Sequence, residues 1–458
     1  MDIISELYFN SQRITKLNGK DISIINLNGV DYQFGGKSES GGEETEEINY
    51  ELFFDQLQEY VEGEYRVQYR GDCADWTPAT MDVNGTGLIT DNGGILSKWP
   101  FNKIKPCLVN QGQIIGYLNP NDYSQFEDGT PADITNENYE VMVEFPKIYY
   151  KIEEEWDGVT TRNGCTLANI TIYISNKAKE GYVCYSHMRQ GVEYDSIYIS
   201  AYENFMKDDG KLLCCSGVEA GKGTYSHNYI LNNLNELKGS QYGTFNYYIA
   251  TMLQILSLLL FKEYCALYTY GAGYKASELW LNDPGINNDK GMFYGLFTAA
   301  KHSSKLFGLE NILGGANTVM DGFMTTEDLH FLIYDPTNPN CVINYNGENY
   351  KEYSPNVSTT SGYLLRVSGN TQYGLLPAAG TQVYTYSRPF YYCTNNIKKP
   401  SNYSTDVDTT NKPYMIYSFG GNWKVTYQSL FTYYSMYQLD DNLYNAERLV
   451  CYPNNKKS

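Results

Sequence analysis

Apolar positions along this chain come in short runs, broken every few residues by Gly, Asn or Asp. That spacing predicts many short strands joined by turns rather than a helical bundle. Runs at 65–70, 114–118, 140–145, 148–153, 170–175 and 196–201 read as strands, and the pattern resumes at 362–368, 414–418, 429–434 and 447–452. One long helix, 245–268, interrupts them. Its apolar stretch at 249–261 is broken by Thr251, Gln254 and Ser257 and stops at Lys262. The stretch is too short to cross a bilayer and reads as a buried helix. Shorter helices are expected around 291–304 and 326–329. A few helices embedded among antiparallel strands make the fold class α+β.

The first 63 residues follow another pattern. Asn18-Gly19 and Asn28-Gly29 each lie between short apolar runs, which is the signature of tight hairpins, so residues 1–34 read as a small β unit. Residues 35–47, GGKSESGGEETEE, have nothing to bury and repel one another, which makes them a flexible linker. Residues 48–63 place Leu52, Phe53, Leu57, Tyr60 and Val61 on one helical face and end at Gly63. An amphipathic helix there packs on the following domain or on copies of itself. From 64 to 458 no second linker interrupts the chain, and the remainder reads as one large domain.

Composition then narrows the function. The 458 residues carry a net charge of -19 with no basic stripe, which argues against nucleic acid as a partner. Residues 1–6 lack the basic-then-apolar pattern of a secretion signal, and no membrane insertion is expected. Ten cysteines show no C-x-x-C pair, so reduced, buried thiols are the expectation. The four histidines (His187, His227, His302, His330) are too scattered to suggest a catalytic or metal-binding cluster. Asp406 and Asp408 begin like a calcium loop but lack its turn glycine and closing Glu. Asp440, Asp441 and Asn442 are a better oxygen cluster, yet a solvated turn accounts for them, and no metal or cofactor is assigned. Among 53 acidic residues some carboxylate pair will always match glycosidase spacing by chance, so that signal carries nothing.

The chain holds 46 tyrosines, and its last forty residues are dense with them. Tyrosine gives large contact area at small entropic cost, which recognition surfaces exploit. Tyr427, Tyr433, Tyr434, Tyr437 and Tyr444, with Asp440, Asp441 and Asn442, are therefore the candidate ligand-binding residues. Tyrosine abundance throughout the chain, or subunit packing, is the competing account. Alternation over 429–434 puts Leu430, Thr432 and Tyr434 on one face and Phe431 and Tyr433 on the other, so one of the adjacent tyrosines should be buried.

Several blocks also fall in a familiar order: Met142-Val-Glu-Phe-Pro-Lys-Ile-Tyr-Tyr-Lys151, Ser196-Ile-Tyr-Ile-Ser-Ala-Tyr-Glu203, a helix ending in Glu263-Tyr264, Phe307-Gly-Leu-Glu-Asn311, Val319-Met-Asp-Gly322, Gly420-Gly-Asn-Trp423 and Arg448-Leu-Val450. This order resembles tailed-phage virion and prophage proteins with a C-type-lectin-like domain. Those proteins are distant relatives of formylglycine-generating-enzyme-like folds and of the variable proteins of diversity-generating retroelements. The resemblance spans roughly residues 65–455. One departure stands out. Where the family has Gly-Asn-x-Trp-Glu-Trp, this chain has Gly314-Gly-Ala-Asn-Thr-Val-Met-Asp321, with both aromatic positions lost.

The resemblance implies a non-enzymatic virion fibre or receptor-binding protein, assembled in the host cytoplasm and exposed on the particle. Residues 1–34 would dock on other virion proteins, and the large domain would bind a bacterial surface glycan or protein receptor. A homo-oligomer, a trimer in similar proteins, would multiply weak contacts. Two alternatives accompany it. A capsid-decoration or tail-connector protein would pack its tyrosines against neighbouring subunits. A cysteine oxidase would need a close thiol pair drawn from Cys341, Cys393 and Cys451, none of which sits in a paired motif. Trp423 is expected to pack against its Gly-Gly turn. Arg448 is expected either to meet a buried carboxylate (Glu310, Asp321 or Glu203) or to cap carbonyls.

Overall fold

In the computed structural model, the described residues are 95–160, 166–218, 227–261, 283–295, 303–314, 317–326, 330–353, 362–381, 415–420, 429–431, 433–437 and 445–453, with backbone strands at 6–9, 12–15, 25–27, 30–32, 59–61, 64–70 and 390–392. The fold is mixed and dominated by sheet, with 43% strand and two α-helices among the described residues.

A seven-stranded antiparallel sheet forms one side of the core, in the order Tyr242–Thr244, Leu449–Cys451, Ser196–Ser200, Glu140–Pro146, Lys105–Asn110, Gln113–Asn119, Asp122–Phe126. Its central strand, Glu140–Pro146, shows why both faces must be covered. Val141, Val143 and Phe145 point into the main core, while Met142 points the other way onto Cys107, Val109, Tyr198 and Leu449. That second face is closed by Ile230 and Leu234 of the helix His227–Leu237.

The helix Tyr247–Phe261 is apolar on all sides, and a helix of that kind is stable only when surrounded. Every residue from Tyr247 to Leu260 is buried. Asn246 starts it: Oδ1 accepts the N–H groups of Tyr248 (3.1 Å) and Ile249 (3.2 Å). The helix packs on Asn317–Thr325 and Gly374–Thr381, two strands of a nine-stranded sheet. In that sheet Tyr433–Tyr437 is an interior strand, antiparallel to Met415–Phe419 and parallel to Phe390–Tyr392.

A four-stranded sheet, Tyr149–Thr160, Thr166–Ser175, Glu64–Arg70 and Glu59–Val61, lies against the strand Gly362–Asn370 of the nine-stranded sheet. Gly369 permits that approach, because a Cβ there would stand 2.7 Å from Cγ2 of Ile152. Thr371 fastens the same junction: its Oγ1 accepts the Ile152 N–H at 2.9 Å and donates to the Ile152 carbonyl at 2.9 Å.

The predicted strands through 201 are present, those at 148–153 and 170–175 running longer than expected as Tyr149–Thr160 and Thr166–Ser175, and the hairpin Ile25–Leu27/Val30–Tyr32 flanks Asn28-Gly29. Several expectations need correction or fall elsewhere. Glu59–Val61 is a strand paired with Glu64–Arg70, so the predicted helix does not run to residue 63; residues 48–58 lie outside the described residues. Residues 291–295 are not helical. The strand expected at 429–434 begins instead at Tyr433, after a turn at Leu430 and Phe431. The other early hairpin pairs Glu6–Phe9 with Gln12–Thr15, and Asn18-Gly19, the linker 35–47 and Trp423 lie outside the described residues.

Candidate functional site

Along the strand Tyr149–Thr160, the even-numbered side chains share one face. Tyr150 and Ile152 are buried in the main core, Glu154 is half-buried, and Trp156 is 55% exposed. A face that begins as core thus ends as an open wall. The wall borders a groove of about 300 Å³ lined by Glu154, Trp156, Tyr353, Arg366, Asn370 and Pro377 among others.

Two irregularities in the sheets aim these side chains. The pairing of Gly362–Asn370 with Gly374–Thr381 shifts register on both sides of Arg366, and the pairing of Tyr149–Thr160 with Thr166–Ser175 shifts after Trp156. Such bulges redirect side chains out of the ladder. Arg366 comes to lie over the Trp156 ring, its guanidinium carbon 4.5 Å from the ring centroid. Glu154 is held from below, accepting the Ser368 hydroxyl at 2.5 Å and the Gly369 N–H at 2.7 Å. Tyr353 stacks on Tyr373 with centroids 4.5 Å apart, and burial raises its phenol pKa. The groove therefore offers an indole face, a planar cation, a fixed carboxylate and a phenol on one concave surface.

Tyr433, the one predicted ligand-binding residue whose side chain is described, does not line this groove. Tyr433 is fully buried, which removes it as a contact residue. Its hydroxyl donates to the Leu375 carbonyl at 2.9 Å and accepts from Gln254 Nε2 at 2.7 Å, so a polar tip that suits an interface instead joins the central helix to two strands. Of the adjacent pair, Tyr433 is buried, in keeping with the expectation that one of the two would be. Tyr434 and Tyr437 belong to the same interior strand, their side chains outside the described residues. Tyr427, Asp440, Asp441, Asn442 and Tyr444 also lie outside them. The sequence signal for the groove was a Trp within a run of carboxylates, Glu153-Glu-Glu-Trp-Asp157, where an amphipathic strand has no need of an indole.

The end of the chain is framework. Arg448 is wholly buried and caps carbonyls, donating to Ser200 (3.1 Å), Ala201 (3.4 Å) and Glu310. Its neighbour Glu447 meets His227, which also bonds Asp321 through Nε2 at 2.8 Å. Thr244 and Tyr345 donate to the same Asp321 carboxylate. Burial alone would lower the His227 pKa, but Asp321 and Glu447 overcome it and push the imidazole up to about 10. The cluster is a histidine held between two acidic side chains, with no cavity beside it among the described pockets.

Among the described residues no group of His, Cys, Asp and Glu has the arrangement of a metal site. Cys341 and Cys451 are buried and free, and burial pushes the Cys451 thiol up to about 12, away from the thiolate that oxidase chemistry needs. Cys393 lies outside the described residues. No protein-family model matches the chain, and no curated protein matches it.

Proposed function

We propose that this chain is a phage virion fibre or receptor-binding protein whose Trp156 groove holds a glycan of the bacterial surface. The observation that carries the reading is the uncovered Trp156 ring, backed by Arg366, at the open end of a face that is otherwise core. A sugar ring has one face of C–H groups, which lies flat on an indole, and a rim of hydroxyls that bond carboxylates and guanidinium groups. Glu154 and Arg366 line the same groove as Trp156 and would supply those bonds. The sequence blocks support a C-type-lectin-like display domain around the groove. The block Met142–Lys151 runs from the seven-stranded sheet (Glu140–Pro146) into the four-stranded one (Tyr149–Thr160), Arg448–Val450 supplies part of the seven-stranded sheet, and Val319–Gly322 supplies part of the nine-stranded sheet. The hairpins of residues 1–34 would dock on the particle, and a trimer would convert weak single-site contacts into firm attachment.

Adsorption of the labelled protein to host cells tests the reading. Trp156→Ala is expected to weaken adsorption by about tenfold or more, the loss typical of a central aromatic anchor. Because Trp156 is exposed, the fold should survive, with a stability change within about 0.5 kcal/mol. Unchanged adsorption by a folded Trp156→Ala protein would remove the groove from recognition.

A further inference from the structure

The contacts along the groove give it two distinct ends. Where the strands Tyr149–Thr160 and Gly362–Asn370 meet, Trp156 lies beside Arg366, and Glu154 bonds Ser368 and Gly369. Ile152 bonds Thr371, just past the end of the second strand. Residues descend on one segment as they ascend on the other, so Trp156 and Arg366 hold one end of the groove. Tyr353 marks the other. It comes from Lys351–Tyr353, at the opposite edge of the nine-stranded sheet from Gly374–Thr381, yet its ring stacks on Tyr373, in the turn beyond Thr371. The two edges of the sheet therefore approach each other at the groove, and each end of the groove carries an aromatic ring backed by a second planar group.

Between the two rings stands Glu154. Both bonds it accepts, from the Ser368 hydroxyl and the Gly369 N–H, fall on Oε2, and Oε1 accepts none among the described residues. One oxygen is thus fixed by the protein while the other keeps its capacity for a ligand hydroxyl. The Tyr353 hydroxyl reaches toward the same Ser368 and Glu154, which places Tyr353 on the side of Glu154 away from Trp156.

Glu154 and Trp156 are two residues apart on one strand face, ~7 Å, which is as much as one pyranose ring spans. Tyr353 lies farther on, so a single ring cannot rest on both aromatics. On the premise that the groove holds a glycan, we propose that it is a cleft with two sugar sites, selective for at least two linked rings rather than for a single sugar. Trp156, backed by Arg366, carries one ring, and Tyr353, backed by Tyr373, carries the next. Glu154 Oε1 accepts a hydroxyl between them. The stack on Tyr373 holds the Tyr353 ring in place before the ligand arrives, so little freedom is lost on binding. A cleft of this kind engages a repeating glycan at internal positions as well as at its end.

Size-sorted fragments of purified host surface glycan, released by partial acid hydrolysis and titrated calorimetrically into the full-length protein, test the cleft. Two-ring fragments should bind at least about tenfold more tightly than one-ring fragments, the difference a second aromatic anchor makes. Tyr353→Ala should abolish that preference and leave one-ring binding within about twofold, whereas Tyr353→Phe, which keeps the ring, should retain the preference. One-ring fragments that bind the wild type as tightly as longer ones overturn the two-site cleft, need no variant to interpret and leave the glycan reading standing. Absence of binding by fragments of every length overturns both. A folded Tyr353→Ala protein that still prefers two rings overturns the role given to Tyr353.

Discussion

Tyr433 shows how a side chain that suggests recognition is put to structural use. Its hydroxyl bonds Leu375 and Gln254, inside a sheet and against the helix Tyr247–Phe261. Both partners keep another bond, since Tyr247 also donates to the Leu375 carbonyl and Gln254 to Leu430. Tyr433→Phe is therefore expected to lower unfolding free energy by about 1 kcal/mol in urea titrations, with cell adsorption unchanged. Weakened adsorption with intact stability would return the residue to the binding face. Sequence alone could place Tyr433 and Tyr434 on opposite faces, because alternation is a property of any strand. It could not say which face is core, since that depends on a helix nearly two hundred residues earlier. Arg448 was legible for a different reason: a lone cation among strand residues near Val450 must find partners, although the carbonyls it caps come from distant segments. Trp156 was passed over because its meaning lies in exposure, which a sequence does not display.

Strands were the most legible elements, since the runs at 140–145 and 196–201 combine β-branched and aromatic residues with clear turns. The helix His227–Leu237 was not, because its four asparagines disguise a helical spacing of Ile230, Leu234 and Leu237. What fixes this helix is its first residue, His227, held by Asp321 and Glu447. The imidazole pKa stands near 10 in the folded chain against 6.5 when free. A raised pKa contributes stability that is complete below pH 6.5 and is lost as pH climbs through 10. Stability in urea, and hydrogen-exchange protection of the 227–237 amides, should therefore decline between pH 6.5 and 10. His227→Gln should flatten that decline and, by leaving two buried carboxylates without their cation, cost about 3–5 kcal/mol at neutral pH. A wild-type profile flat across this window would mean that the histidine is uncharged and the clamp is an ordinary hydrogen bond.

At the scale of the whole molecule, charge limits what the groove can hold. A net charge of -19 surrounds it with a field that repels polyanionic capsules and acidic sugars. The groove itself presents an indole, a guanidinium and a carboxylate, a set suited to stacking and hydroxyl bonds. If the proposed glycan binding holds, both facts favour neutral sugar rings. Stacking and neutral hydrogen bonds are barely screened, whereas contacts between exposed charges fade once the Debye length shrinks to a few ångströms. Binding to purified neutral surface glycan should therefore change by less than about twofold between ~0.05 and ~0.5 M salt. An acidic target would behave oppositely, binding better as salt screens the repulsion. A steep loss of binding with salt would show attraction to a local basic patch, and the ligand would then have to lie away from Trp156. Copies of the chain on one particle would multiply a weak contact of this kind, so the measurement belongs on the soluble protein, where single-site affinity and its salt dependence are seen without avidity.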